Sequence, residues 1–141
     1  MKVTVLMVVY NGEKHLVECV NSIINQTFSD FELLIIDDGS TDNSLGIIQD
    51  FKDRRVRVVR NKHDYIGSLN LGLKESWGEY IARMDVDDIM ERYRLEEQIA
   101  ILDAYPEVAA CMCWAKTFGL VEKGLCRGDG IIRDALPELL C

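Results

Sequence analysis

Gly78-Glu79-Tyr80-Ile81-Ala82-Arg83-Met84-Asp85-Val86-Asp87-Asp88 is the stretch around which the chain is organised. Tyr80, Ile81, Ala82 and Met84 read as a short buried strand, and the carboxylates Asp85, Asp87 and Asp88 follow directly. Like charges this close repel and raise one another's pKa unless a cation neutralises them. Acids gathered at the end of an apolar strand therefore point to a bound divalent metal. Hard oxygen ligands suit Mg²⁺ or Mn²⁺, and Mg²⁺ usually takes one or two carboxylates and lets substrate phosphates complete its shell. These acids also have a plainer use, because Asp87 or Asp88 can cap the helix that begins near Arg92. Asp-x-Asp alone is weak. Its place at the carboxyl end of a strand, where open α/β sheets bind ligands, strengthens it.

Outward from this stretch the chain alternates. Val3 to Val9 is a continuous apolar, β-branched run, the pattern of a strand covered on both faces, and Tyr10-Asn11-Gly12 ends it. From Glu13 to Gln26, Leu16, Val20, Ile23 and Ile24, with Val17 alongside, mark one face of an amphipathic helix. Phe31 to Ile36 is a second strand running into Asp37-Asp38-Gly39-Ser40-Thr41-Asp42. There the glycine permits a tight turn, and Ser40, Thr41 or Asp42 can cap a helix from Ser44 to Phe51. Val56 to Val59 is a third strand, after which Ile66, Leu69, Leu73 and Trp77 recur at helical spacing and read as core positions. Beyond the acids, a helix from Arg92 to Ala104 rests on Leu95, Ile99 and Leu102 and stops before Pro106. Val108 to Trp114 reads as a last strand that buries Cys111 and Cys113 as small hydrophobes.

This alternation predicts an α/β fold, a mostly parallel sheet with right-handed crossovers and helices on both faces. Past Thr117, Gly119, Gly124, Gly128 and Gly130 with interspersed charges read as loop, and Asp134 to Cys141 as at most a short helix. The expected organisation is one domain over 1–118 and an irregular extension over 119–141, with the chain apparently truncated.

At 48% hydrophobic and 28% charged over 141 residues, the composition is that of a globular domain with its own core. The net charge of −8, with no Lys/Arg run long enough to track a phosphate backbone, argues against nucleic acid as a partner. An anionic substrate would need a local exception to that field, which a bound cation provides. No apolar run approaches membrane-spanning length, and the N-terminus lacks a cleavage pattern. The five cysteines are odd in number and fit no zinc spacing, so a reducing, cytoplasmic setting is expected. His15 and His63 have no partner at catalytic or metal spacing and read as surface residues.

Both acidic turns, Asp37-Asp38 and Asp85 to Asp88, follow a predicted strand, so parallel strands bring them to one edge together with Tyr10-Asn11. That rim would offer an aromatic ring, an amide and five carboxylates. Such a set suits a nucleotide: stacking and hydrogen bonds for the base, acceptors for ribose hydroxyls, a metal for the phosphates. Neither Gly-x-x-x-x-Gly-Lys-Ser/Thr nor Gly-x-Gly-x-x-Gly occurs, so phosphates would be held through metal.

Several ordered blocks resemble the family 2 glycosyltransferases, which have the GT-A nucleotide-sugar-binding fold. They are Val8-Val9-Tyr10-Asn11, the run from Ser22 to Phe28, the run from Phe31 to Asp42, Asn70-Leu71-Gly72-Leu73, and Gly78 to Asp88. The resemblance spans nearly all of the chain to about residue 118. It implies a sugar transferase that takes a nucleoside-diphosphate donor, commonly a UDP-sugar, and inverts the anomeric carbon. A saccharide or lipid-linked acceptor and a role in polysaccharide biosynthesis would go with it, in the cytoplasm or peripheral to the membrane. By position, it implies that Tyr10 borders the nucleobase and that Asp38 accepts a hydrogen bond from it. Asp85 and Asp87 match the family's Asp-x-Asp on the ribose and metal side, and Asp87 or Asp88 ligates Mn or Mg. Leu69 stands where an arginine is often found.

The resemblance also makes 1–118 the donor-binding domain and 119–141 the start of a missing acceptor-binding region that would hold the general base. Asp129 and Asp134 are the late acids and look like ordinary loop or helix-start residues, so the catalytic residue is unassigned. Two other readings share these residues. One is a non-catalytic nucleotide-sugar-binding module, the other a receiver-like phosphoacceptor domain around Asp37-Asp38. Against the receiver, the first strand ends in Tyr-Asn rather than in acids. Sheet edges left uncovered could drive self-association.

Overall fold

The computed structural model describes residues 1–113, 115 and 116. These divide after Leu95 into two units. The first holds the strands β1 (Val3–Val9), β2 (Phe31–Asp37), β3 (Val56–Arg60) and β4 (Tyr80–Met84). Its helices are α1 (Leu16–Ile24), α2 (Ser44–Asp50) and α3 (Tyr65–Glu75), followed by the first turn of α4 (Arg94–Ala104). All pairings are parallel, in the order β3-β2-β1-β4. The two continuous apolar runs become the central strands, buried along nearly their whole length, as a strand covered on both faces requires.

Successive residues of a strand face opposite sides, and β1 shows which helix covers which. The Cys19 sulfur of α1 lies 3.6 Å from that of Met7, whereas α3 presents Gly72 to the neighbouring Leu6. Helices therefore cover both faces, as expected. Chain order steps from β1 to β2 to β3, then α3 carries it back across β2 and β1 to β4. Strand order thus reverses between β1 and β4, and a sheet of this kind leaves its ligand crevice beyond the carboxyl ends at such a point.

The face of α3 differs from expectation. Ile66, Leu73 and Trp77 are 64%, 54% and 64% exposed, while Ser68 and Gly72 are buried and Leu71 packs on the cluster of Leu6, Leu34 and Ile36. Small residues let the helix approach the sheet, a signal that hydrophobic periodicity does not register. A Cβ at position 72 would come 2.3 Å from Leu6 Cδ1. Gly72→Ala is accordingly expected to cost about 1–3 kcal/mol, the usual range for overpacking, seen as a lower urea midpoint. An unchanged midpoint would mean that Leu6 yields freely.

Trp77 is covered by the Arg57 guanidinium, 4.1 Å from its ring. Arg57 also donates to the buried Glu32 at 3.2 Å, whose other oxygen accepts from Thr4 Oγ1 and from the Trp77 amide. This network fixes the junction where α3 turns into β4.

In the second unit the described residues carry the rest of α4 and an irregular run. The strand expected over Val108–Trp114 does not form across 108–113, where Cys113 and Met112 are exposed and Cys111 is half-buried. An apolar run becomes a strand by pairing its backbone, and no such ladder forms there among the described residues. Trp114 and 119–141, with Asp129 and Asp134, lie outside the described residues. Among the described residues no helix is long and apolar enough to cross a membrane.

Candidate functional site

β1 and β2 end in register, Val9 opposite Asp37, and the Asp38 amide extends the ladder by donating to Val9 O at 2.8 Å. Gly39 then reverses the chain at φ 80, with the His63 amide nitrogen only 3.2 Å from where a Cβ would stand. Conformation and space both demand glycine there. The two acids before it are buried. Asp37 accepts from the Ser40 amide at 3.0 Å and from Arg60 Nε at 3.1 Å. Oδ1 of Asp38 accepts from the Asp64 amide at 2.9 Å and Ser68 Oγ at 2.6 Å, and its Oδ2 lies 3.2 Å from His63 Nδ1. Asp38 thereby ties the end of β2 to the start of α3, where Asp64 caps the helix by accepting from the Gly67 amide.

Tyr10, 45% exposed, stacks on His63 with ring centroids 3.9 Å apart and planes 27° from parallel. Asn11 sits at φ 52, a left-handed conformation that asparagine tolerates better than most. Its Oδ1 accepts from the amides of Thr41 and Asp42 and from Thr41 Oγ1, so this acceptor is spent on stitching two turns together. At Gly12 a Cβ would stand 2.8 Å from Val86 Cγ2. The turn after β1 thus meets the acidic turn after β4.

That acidic turn closes when the Asp88 amide donates to Asp85 O at 3.3 Å. Asp87 and Asp88 are exposed. Arg83 Nη2 donates both to Asp85 Oδ1, at 2.6 Å, and to Tyr65 OH, at 2.9 Å. Although Asp88 is exposed as a residue, partial desolvation of its carboxyl, then the charges of Asp87 and Asp85, hold that carboxyl above its ordinary range in spite of Arg94 and Arg83. Burial and the same three acids push the Cys19 thiol up to about 12, so it stays neutral, donating to Asp85 O at 3.4 Å.

The segment after the acids is fastened from α1 and its C-terminal end. Ser22 Oγ accepts from the Met90 amide at 2.9 Å, Gln26 Nε2 donates to Glu91 O at 2.7 Å, and Gln26 Oε1 accepts from the Leu95 amide at 3.2 Å. Sequence reasoning missed both residues, since a polar side chain at a helix end carries no mark of a partner more than sixty positions away.

Tyr10, Asp38 and the acidic turn consequently share one rim. Tyr10 touches His63, His63 touches Asp38, Asp38 holds the first turn of α3, and Tyr65 in that turn reaches Arg83 and, through it, Asp85. Two expectations need correction. The rim does not offer five open carboxylates, because Asp37 and Asp38 are buried and hydrogen-bonded. His63, though exposed, is not without partners.

Among the described residues, no three His, Cys, Asp or Glu side chains form a ready-made metal cage. The acidic turn fits a different kind of site. Carboxylates that repel one another on a single exposed turn suit Mg²⁺ or Mn²⁺ bound by one or two of them, with substrate phosphates and water supplying the remaining ligands.

Residues 4–123 match the sequence model of Glycosyl transferase family 2. Glycosyltransferase GlyG of Streptococcus pneumoniae is 42% identical over 98 residues, which cover 67% of this chain and 33% of that one. WfgD of Escherichia coli, a UDP-Glc:alpha-D-GlcNAc-diphosphoundecaprenol beta-1,3-glucosyltransferase, is 34% identical over 102 residues, 71% of this chain and 40% of its own. S. aureus TarS 1-349 in complex with UDP-GlcNAc aligns with TM-score 0.75 and 27% identity over 90% of this chain and 37% of that one. The chain thus spans 33% and 40% of the length of these two curated relatives. Its parallel α/β sheet matches GT-A structures, and with the match running over most of its length, the chain belongs to glycosyltransferase family 2.

Proposed function

We propose that this chain is the donor-binding part of a metal-assisted, inverting glycosyltransferase. It would take a nucleoside-diphosphate sugar, a UDP-sugar, and pass the sugar to a hydroxyl of a saccharide or lipid-linked acceptor. The observation that carries this reading is the meeting of Tyr10, Asp38 and the Asp85-Val86-Asp87-Asp88 turn on one rim at the strand-order reversal. Complexes of TarS with UDP and with UDP-GlcNAc support the donor class, as does the donor in the name of WfgD.

On this reading Tyr10 offers a ring face to the base and Asp38 Oδ2 accepts its N–H. Asp85, oriented by Arg83, faces the ribose and the metal, and Asp87 and Asp88 hold the metal. A bound Mg²⁺ or Mn²⁺ would neutralise charge on the diphosphate more in the transition state than in the substrate. Inversion by one displacement also needs a base to take the proton of the acceptor hydroxyl. Residues 1–118 supply donor binding, and that base is assigned to the acceptor side. A phosphoacceptor reading is disfavoured, since Asp37 and Asp38 are enclosed and already hydrogen-bonded.

Calorimetric titration with UDP tests the assignment. Binding is expected with Mn²⁺ and to weaken at least about tenfold without it, as loss of a metal contact worth more than about 1.4 kcal/mol implies. Equal binding in the presence of a chelator, or none under any condition, would remove it.

A further inference from the structure

Two contacts define the base site proposed above: a ring face on Tyr10 and an N–H directed at Asp38. Both are already made within the chain. The His63 imidazole stacks on Tyr10 at 3.9 Å, and its Nδ1 lies 3.2 Å from Asp38 Oδ2 and 3.2 Å from the Asp38 backbone oxygen. The other carboxylate oxygen is spent, accepting from the Asp64 amide and Ser68 Oγ. Oδ2 is the oxygen left for an incoming N–H, and His63 stands over it. A flat, nitrogen-bearing ring that lies on Tyr10 and donates to Asp38 reproduces what a pyrimidine base would do there.

We propose that His63 is an internal competitor of the nucleobase, occupying the base's place on Tyr10 and Asp38 until a donor nucleotide displaces it. The inference rests on the donor-site reading. Its mechanical side follows from local geometry. The His63 side chain is 62% exposed and belongs to the connection between β3 and α3 rather than to either element. Swinging out costs the stack and one hydrogen bond, and no core contact. The backbone stays where it is, because the position-63 amide packs against Gly39 and the next amide is bonded to Asp38. Residue 63 thus sets affinity without altering the frame of the site.

Stacking of this strength is equivalent to about three- to tenfold in an equilibrium constant. The 141-residue chain and its variants His63→Ala and His63→Phe are titrated with UDP in the presence of Mn²⁺ and melted in parallel. His63→Ala is expected to bind UDP about three- to tenfold more tightly, with a melting temperature lowered by only about a few degrees through loss of the stack and its hydrogen bond. His63→Phe, which keeps a ring to stack but has no N–H, falls between. A gain by His63→Ala from undetectable wild-type binding supports the proposal equally. If wild type binds UDP and both variants bind equally or less well, the competitor is overturned while the donor site stands, and His63 belongs to the platform that carries the base. If no variant binds UDP, the donor-site reading and this inference fall together.

Discussion

Replacing Asp87 and Asp88 together by alanine is expected to lower metal-dependent UDP affinity at least about tenfold while leaving the fold as stable as before, or more so. The first half follows from the proposed chemistry. A metal contact to the diphosphate is worth more than about 1.4 kcal/mol, which is at least about tenfold in affinity. The second half follows from electrostatics in the free protein. Asp88 is held above its ordinary pKa by partial desolvation and by its acidic neighbours, so the folded state takes up a proton more readily than the unfolded one. Stability contributed at this site accordingly falls as pH rises through that range. At neutral pH the charge opposes folding, and removing it relieves the strain. Parallel titrations and melts read both halves, and the double variant should also flatten the acid side of the stability profile. Retained metal-dependent binding would place the ion elsewhere, and a large drop in melting temperature would make these acids structural.

For Asp38 the expectation is reversed. Asp38→Ala is expected to destabilise the fold by about 2–4 kcal/mol, because it strips a buried acceptor from the Asp64 amide, Ser68 Oγ and His63 at once. Those bonds join the end of β2 to the start of α3, so the loss spreads to the Tyr10–His63 side of the rim. Asp38→Asn separates the two roles. Its amide oxygen can still accept from Asp64 and Ser68, while its NH₂ group faces outward where the base would need an acceptor. That variant should fold with a loss of about 1 kcal/mol and bind UDP weakly. Urea denaturation with UDP titration distinguishes the outcomes. A loss below about 1 kcal/mol for Asp38→Ala would mean that water replaces the carboxylate, and the structural role assigned to it would fail.

The contrast between these acid pairs shows where local reasoning ends. Asp37-Asp38 and Asp87-Asp88 are the same dipeptide, but the first closes the buried central strand β2, whereas the second follows β4, an edge strand that is half-exposed rather than buried as expected, and one pair is enclosed and the other exposed. The difference lies in what comes to meet them. Arg60, Asp64 and Ser68 arrive from more than twenty positions away to satisfy the first pair. Among the described residues, no comparable set of donors is bonded to the side chains of the second.

The apolar runs of β1 and β2, the helical stripe of α1 and the glycine-acid turns are patterns within a few neighbouring residues, so the strand-helix alternation and the shared rim were determined by the amino-acid order itself. The side of α3 that packs, the partners of His63, the fastening of Met90 to Leu95 by Ser22 and Gln26, and the missing ladder at Val108–Cys113 were decided by tertiary structure. Each depends on a surface supplied from a distant part of the chain. Burial and pairing are properties of two surfaces brought together, and a periodicity read along one segment describes only one of them.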